Sequence, residues 1–268
     1  MLAEERRQKI LELIYRDGQV SGTELCRLLH VSDETIRRDL AAVAKEHPIK
    51  KVHGGAVLTT AQRYRELPYE RRRTKNAEQK RRIGIAAAKH IESNDMIALD
   101  SGTGAEAIAE AISDVANVRV VTAALPVAEI LLRKLSRGDF TGKVYFIGGE
   151  LHPKSANVTG GPAVEALRKY RVDKVFVGAT AISESGISVW EEEDGVFSTA
   201  LTECAPQVIA YAESEKLDKE SFYRVCPLDA ISCLITDGDL PMSETMRAAL
   251  ETADVCVEYA PRGGLRKR

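Results

Sequence analysis

Two short motifs carry residue types suited to chemistry. The first is SDETIRRDLAAVAKE, residues 32–46. Ile36, Leu40 and Val43 recur there at helical spacing, so Thr35, Arg37 and Arg38 fall on the polar side near the helix start. A guanidinium presents forked donors that match a guanine edge or a phosphate. Hydroxyls such as those of Ser32 and Thr35, beside the outward amides of a helix start, suit backbone phosphates. The alternative for the arginines is a solvated surface pair balanced by Asp33 or Asp39.

The second motif is DSGTG, residues 100–104. Asp100 ends an apolar run that reads as a strand, and a helical pattern follows the Ser101-Gly102-Thr103-Gly104 turn. Amides at such a turn face the carboxyl edge of the strand, where open α/β sheets bind ligands and an anion is favoured. A tight turn without a ligand is the alternative. Neither the Walker spacing nor G-x-G-x-x-G is present. Lys216, in ESEKLDKES, either adds a charge for such an anion or is a solvated lysine. Asp100, Glu191, Glu192, Glu193 and Lys216 are also the types used in acid-base catalysis, but nothing in the sequence makes them converge, and no catalytic residue is assigned.

The elements that must position these residues are readable from periodicity. AEERRQKILELIYRDG places Ile10, Leu11, Leu13 and Ile14 on one helical face and stops at Gly18. A second helix starts at Ser21, with Glu24 completing a capping box and Leu25, Leu28 and Leu29 forming its apolar stripe. Only His30-Val31-Ser32 separate it from the arginine-bearing helix, so the chain turns sharply, as in a helix-turn-helix. Pro48 closes that helix, and IKKVHGGAVLTT reads as a hairpin or wing hinged at Gly54-Gly55. Lys50, Lys51 and His53 on that wing are suited to clamping phosphates, since lysine lacks bidentate geometry.

A polar, basic stretch broken by Pro68 follows, and residues 61–75 are read as a linker. Beyond it the runs MIALD, VRVVTA, KVYFIGG, DKVFVGA, QVIAYAE, SCLITD and DVCVEYA alternate with helical patterns such as AEAIAEAI, PVAEILLRKL and SETMRAALE. Such alternation implies an α/β domain, a mainly parallel sheet with helices on both faces. The reading therefore divides the chain into a winged helix-turn-helix at 1–60, the linker at 61–75, an α/β domain at 76–260 and a basic tail at 261–268.

Charge follows this division. Residues 1–82 hold 19 Lys and Arg against 12 Asp and Glu, whereas residues 83–268 hold 19 against 28. A basic first part and an acidic remainder suit a chain whose first part meets a polyanion. No apolar run approaches the roughly 20 residues of a membrane span, and the AEERRQK start does not fit a secretory signal, so a cytoplasmic protein without a membrane partner is expected. The five cysteines are scattered without a C-x-x-C pair, indicating neither a disulfide framework nor a zinc site, and no cofactor motif is present.

The run VSGTELCRLLHVSDETIRRDLAAVAKE…KKVHGGAV resembles the N-terminal signature of the DeoR family of bacterial regulators, in which V-S-x-x-T-I-R-R-D-L precedes R-x-H-G-G-A. NAEQKRRIGIAAAKHI, ALDSGTGAEAIAEAI, VVTAALPVAEIL, YFIGGEL, DKVFVGATAIS, AESEKL and LITD continue the resemblance in the family's order over nearly the whole chain. It implies a DNA-binding transcription regulator, a repressor released from its operator by a sugar phosphate or similar metabolite. It also implies a sensor domain similar to ribose-phosphate isomerase and CoA-transferase-like folds. Positions matching the family's effector site are Asp100, Gly102, Thr103, Thr122, Gly148, Gly149, Gly178 and Lys216, with Ser101 and Gly104 completing the turn. The chain departs from the family at Gly104, Ala123, Ala181 and Val196-Phe197, which points to an altered ligand, binding mode or sensing. Trp190 and the EEED after it line the site or form a surface loop. A homodimer or homotetramer is expected, because one small motif needs a second half-site on DNA for adequate affinity. An isomerase-like enzyme, or an architectural DNA-binding protein whose α/β domain only oligomerises, are the competing functions.

Overall fold

Ile10, Leu11 and Ile14 are buried along one face of α1 (Ala3–Asp17), where they meet Leu25 and Leu29 of α2 (Gly22–Leu29) and Ile36, Leu40 and Val43 of α3 (Asp33–Glu46). In the computed structural model, residues 2–17, 19–47, 49–58, 67, 69–153 and 155–262 are described. The expected stops at Gly18, Pro48 and Pro68, residues 61–66 of the expected linker and residues 263–268 of the basic tail lie outside them.

α2 departs from its sequence pattern in two respects. It buries the row Gly22, Leu25 and Leu29, whereas Leu28 is 55% exposed, because a helix this short turns one narrow face inward. The expected capping box does not form: Ser21 makes no side-chain cap bond, being drawn instead into β1 (Gln19–Ser21), a strand the sequence reading missed. His30 ends α2 in the left-handed region at φ 53°, which produces the sharp turn, and Ser32 caps α3 by accepting the Thr35 amide.

The wing is β2 (Ile49–Val52) and β3 (Gly55–Leu58), antiparallel, and β1 pairs with the other edge of β3. The two glycines do different work. Gly54 takes φ 83° in the hairpin turn, while a Cβ on Gly55 would lie 2.0 Å from the Val20 carbonyl oxygen of β1.

The chain divides into two compact units, residues 1–65 and 66–268. The second begins with α4 (Tyr69–Thr74), formed by residues read as linker, and α5 (Ala77–Ala88). Seven parallel strands then form one sheet: β4 (Met96–Leu99), β5 (Val118–Thr122), β6 (Gly142–Phe146), β9 (Lys174–Gly178), β12 (Gln207–Ala212), β14 (Cys233–Thr236) and β15 (Cys256–Tyr259). These are the seven runs singled out by sequence. The short antiparallel pieces were not foreseen: β7 (Leu151–His152) with β8 (Asn157–Val158), and β10 (Ala181–Ser183) with β11 (Gly186–Val189) and β13 (Tyr223–Cys226).

Sheet order is β15-β14-β12-β9-β4-β5-β6, so the chain runs outward from β4 to β6 and then returns to build outward from β9 on the other side. Right-handed crossovers put the helices of these two halves on opposite faces. Accordingly α5, α6 (Thr103–Ala111) and α7 (Leu125–Arg137) pack with Ile97, Leu99, Phe176 and Ile209. On the other face α8 (Gly161–Leu167), α9 (Glu192–Thr202) and α10 (Glu244–Thr252) pack with Ala98, Val175, Val177 and Ala210. Alternate residues of a strand thus serve different cores. Among the described residues no helix is long and apolar enough to cross a membrane.

Gly55→Ala is expected to cost the first unit about 1–3 kcal/mol, because backbone and not a yielding side chain stands in the way. Hydrogen exchange in the full chain should show faster exchange of the β1 and β3 amides, and unchanged protection would contradict the close approach.

Candidate functional site

On the first unit, the candidate surface is the outer side of α3 with the wing. Arg37 and Arg38 are well exposed beside the buried Ile36. Both pair with Glu34, at 2.9 and 3.0 Å, and not with the acids considered from sequence. Asp39 instead turns inward, 2% exposed, where it accepts from Arg6 at 2.6 Å and Arg7 at 3.1 Å and so clamps α1 to α3. Its position is readable in hindsight, since residue 39 falls in the same buried row as 36, 40 and 43. Ser32 and Thr35 hydroxyls lie 2.9 Å apart at the helix start. Lys50, Lys51 and His53 are exposed on the wing, and Lys51 Nζ donates to the Arg37 carbonyl at 3.5 Å, which brings the wing against the arginine-bearing turn of α3. The groups collected on this side are cations and short hydroxyls, matched to phosphate and base edges.

On the second unit, the candidate residues gather at the carboxyl ends of adjacent strands. Residues 100–104 follow β4, Thr122 ends β5, Gly148 and Gly149 follow β6, Gly178 ends β9, and Lys216 follows β12. Strand order reverses between β4 and β9, the position at which open α/β sheets receive ligands. Asp100 follows β4 at this point, 5% exposed, accepting from the Ser101 amide at 2.8 Å, the Gly178 amide at 3.3 Å and Ser198 Oγ at 3.1 Å. Burial pushes its carboxyl up to about 7, against the pull of those donors and with help from the nearby Asp194 charge.

Behind β12 lies a second buried carboxylate in the opposite condition. Glu213 is 6% exposed, which alone would raise its pKa, but the ammonium groups of Lys216 and Lys80 outweigh burial and hold it at about 2. Lys216 Nζ lies 3.1 Å from that carboxylate and donates to the Ala179 carbonyl at 2.8 Å, so it is a held group and not a freely solvated one. Lys80 is 7% exposed, 3.5 Å from Glu213, and donates to the carbonyls of Lys75, at 2.7 Å, and Arg72.

Several of these residues were missed by sequence reasoning. Arg72, within the stretch read as linker, lies on α4, and a Cβ on Gly102 would come within 3.4 Å of its Nη1. Tyr69 fixes the same helix by donating to Glu106 of α6 at 2.7 Å. Lys80 did carry a signal, since with Ile83, Gly84 and Ala87 it occupies the buried stripe of α5, an unusual place for a charge.

Of the departures from the family pattern, Gly104 has a local cause. A Cβ on Gly104 would stand 2.5 Å from the ring of Tyr211, and one on Gly178 would stand 3.1 Å from its hydroxyl, so both glycines make room for that side chain. Ala123, Ala181 and Phe197 are buried in the core. Trp190 packs on Phe222, while EEED opens α9 and pins the segment after β6: Glu193 meets His152 at 3.0 Å and Asp194 accepts from Asn157 at 3.0 Å. Thr122 is buried, with Oγ1 accepting the Ala124 amide at 3.1 Å; Gly148 is open, and Gly149 lies against Val158.

The raised Asp100 carboxyl has a stability consequence. The folded chain keeps a proton that the unfolded chain releases, so stability falls as pH rises from about 4 to about 7 and is level above. Glu213 acts in the opposite sense, but only between about 2 and the ordinary glutamate value. The urea midpoint should therefore be lower at about pH 8 than at about pH 5, and Asp100→Asn should shrink the difference. An unchanged difference in that variant would contradict the assignment.

Residues 6–62 match the family model described as the DeoR-like helix-turn-helix domain, and residues 75–238 match that of the DeoR C-terminal sensor domain. The HTH-type transcriptional repressor GlcR of Bacillus subtilis (strain 168) is 34% identical over 238 residues, covering 88% of this chain and 89% of that protein. The lactose phosphotransferase system repressor of Staphylococcus aureus (strain N315) is 30% identical over 260 residues, covering 93% and 98%. Among solved structures, ribose 5-phosphate isomerase A from Neisseria gonorrhoeae overlays with a TM-score of 0.38 at 14% identity, over 54% of this chain and 55% of that one, too loosely to carry an argument. Both of these sequence relatives are named repressors. This chain belongs to the DeoR family of transcriptional regulators, with the family's DNA-binding helix-turn-helix followed by its small-molecule sensor domain.

Proposed function

We propose that the chain is a repressor whose first unit binds operator DNA and whose second unit, α4 included, binds a small phosphorylated metabolite that releases it. The observation that carries the DNA half is the division of α3: Ile36, Leu40 and Val43 are buried while Arg37 and Arg38 face outward. Arg37 and Arg38 reach base edges in the major groove, exchanging Glu34 for DNA, while Ser32 and Thr35 at the helix start and Lys50, Lys51 and His53 on the wing contact phosphates. Two relatives are named repressors, which supports the direction of control.

For the effector, the phosphate is received by the amides of Ser101, Gly102 and Thr103 at the start of α6, with Lys216 after β12, two strands along the same edge, and Arg72 beside Gly102. Thr122, Gly148, Gly149 and Gly178 line the same carboxyl edge, and Asp100, whose carboxyl is raised to about 7 by burial, can donate to a hydroxyl of the ligand in its protonated form. Gly104 contributes by admitting Tyr211, which narrows the space beneath the turn. The working species is a homodimer or homotetramer that places two copies of α3 on two half-sites.

The test is fluorescence anisotropy on promoter DNA from upstream of the chain's own gene, titrated with phosphorylated sugars and their unphosphorylated counterparts. Release by phosphorylated compounds alone is expected, and Lys216→Gln should raise the concentration needed without changing DNA affinity; release by no phosphorylated compound would overturn the sensor reading. Arg37→Ala should weaken specific binding by about 1–3 kcal/mol at fixed salt, whereas Lys51→Ala should weaken binding to all sequences and reduce the salt slope by about 1. Unchanged specific affinity in the Arg37 variant would refute its role.

A further inference from the structure

Spacing along the chain gives no hint of a metal site, but the sheet assembles one. Cys233 and Cys256 are register partners at the starts of the parallel strands β14 and β15. Glu258 stands two residues beyond Cys256, on the same side of its strand, and His90 follows α5, which covers that face. The ligand atoms of His90, Cys233 and Glu258 lie within 4.8 Å of one another, and His90 Nε2 is 2.7 Å from a Glu258 carboxylate oxygen.

We propose that His90, Cys233 and Glu258 bind one thiophilic divalent cation of the zinc type, with Cys256, the register partner of Cys233, turning in as the fourth ligand. Two sulfurs, an imidazole and a carboxylate are a tetrahedral donor set that suits zinc and does not suit calcium or magnesium, which require oxygen. Exposure is graded in the way an accessible site needs. Cys233 is buried at 6%, the His90 and Glu258 side chains are 33% and 34% exposed, and Cys256 is exposed on the edge strand. Packing accounts for Cys233 but not for an exposed thiol set beside it. Without the ion, His90 and Glu258 bond to each other. The site lies toward the amino ends of the strands, away from the carboxyl edge where the effector residues gather, so it does not depend on the effector reading. Its occupation would tie α5 to the outermost two strands.

The test uses the reduced full-length protein titrated with Co2+ as a spectroscopic stand-in, followed by displacement with Zn2+. One equivalent per chain with a near-ultraviolet thiolate-to-cobalt band, abolished by Zn2+, is expected. Cys256→Ser removes an exposed side chain and should keep the fold by circular dichroism while lowering affinity about 10-fold or more and weakening the band; His90→Ala should also lower affinity without removing the thiolate band at saturation. Absence of stoichiometric uptake, absence of the band, or uptake unchanged in either variant would overturn the proposal.

Discussion

The buried Asp100 carboxyl is the constraint around which the second unit is arranged. A carboxyl removed from water must be bonded, protonated or both, and here the donors come from three places: the turn after β4, the end of β9 and Ser198 on α9. Because β4 and β9 are the strands between which the order reverses, these bonds join the two halves of the sheet where no crossover helix does so. Glu213, at the end of the next strand, is kept ionised by two lysines. The carboxyl edge therefore places a protonatable group on one side and a fixed charge cluster on the other. Such a pair suits the hydroxylated, anionic ligand proposed above.

The first unit depends on a charge in a similar way. Asp39 brings Arg6 and Arg7 from α1 onto α3, fixing the arginine-bearing helix from its inner side while Arg37 and Arg38 remain outside. Removing one partner of a buried ion pair is costly, so this clamp sets the angle at which α3 is presented. The wing adds a second constraint through Gly55, whose missing side chain lets β3 lie against β1.

Much of this was legible in the sequence because it rests on periodicity. The seven strands of the sheet are seven apolar, β-branched runs, and the buried row of α3 is spaced as a helix requires. The short elements were not legible: β1 spans three residues and β7 two, too few for a period to register. Contacts between distant segments were also hidden. Arg72 read as part of a basic linker because its neighbour Gly102 is remote in sequence, and Tyr211 read as a strand residue because nothing local shows that Gly104 and Gly178 yield space to it. Cys233 and Cys256 appeared scattered for the same reason; strand register, not spacing, makes them neighbours.

The carboxyl edge around Asp100 is the proposed place of effector action. Hydrogen–deuterium exchange of the full chain with and without a phosphorylated sugar that releases promoter DNA tests this most directly. Protection of the amides at residues 101–104 and of the segment at 213–217, with little change in the α7 amides, is the predicted result. Protection elsewhere, with the 101–104 turn exchanging at its unliganded rate, would contradict it.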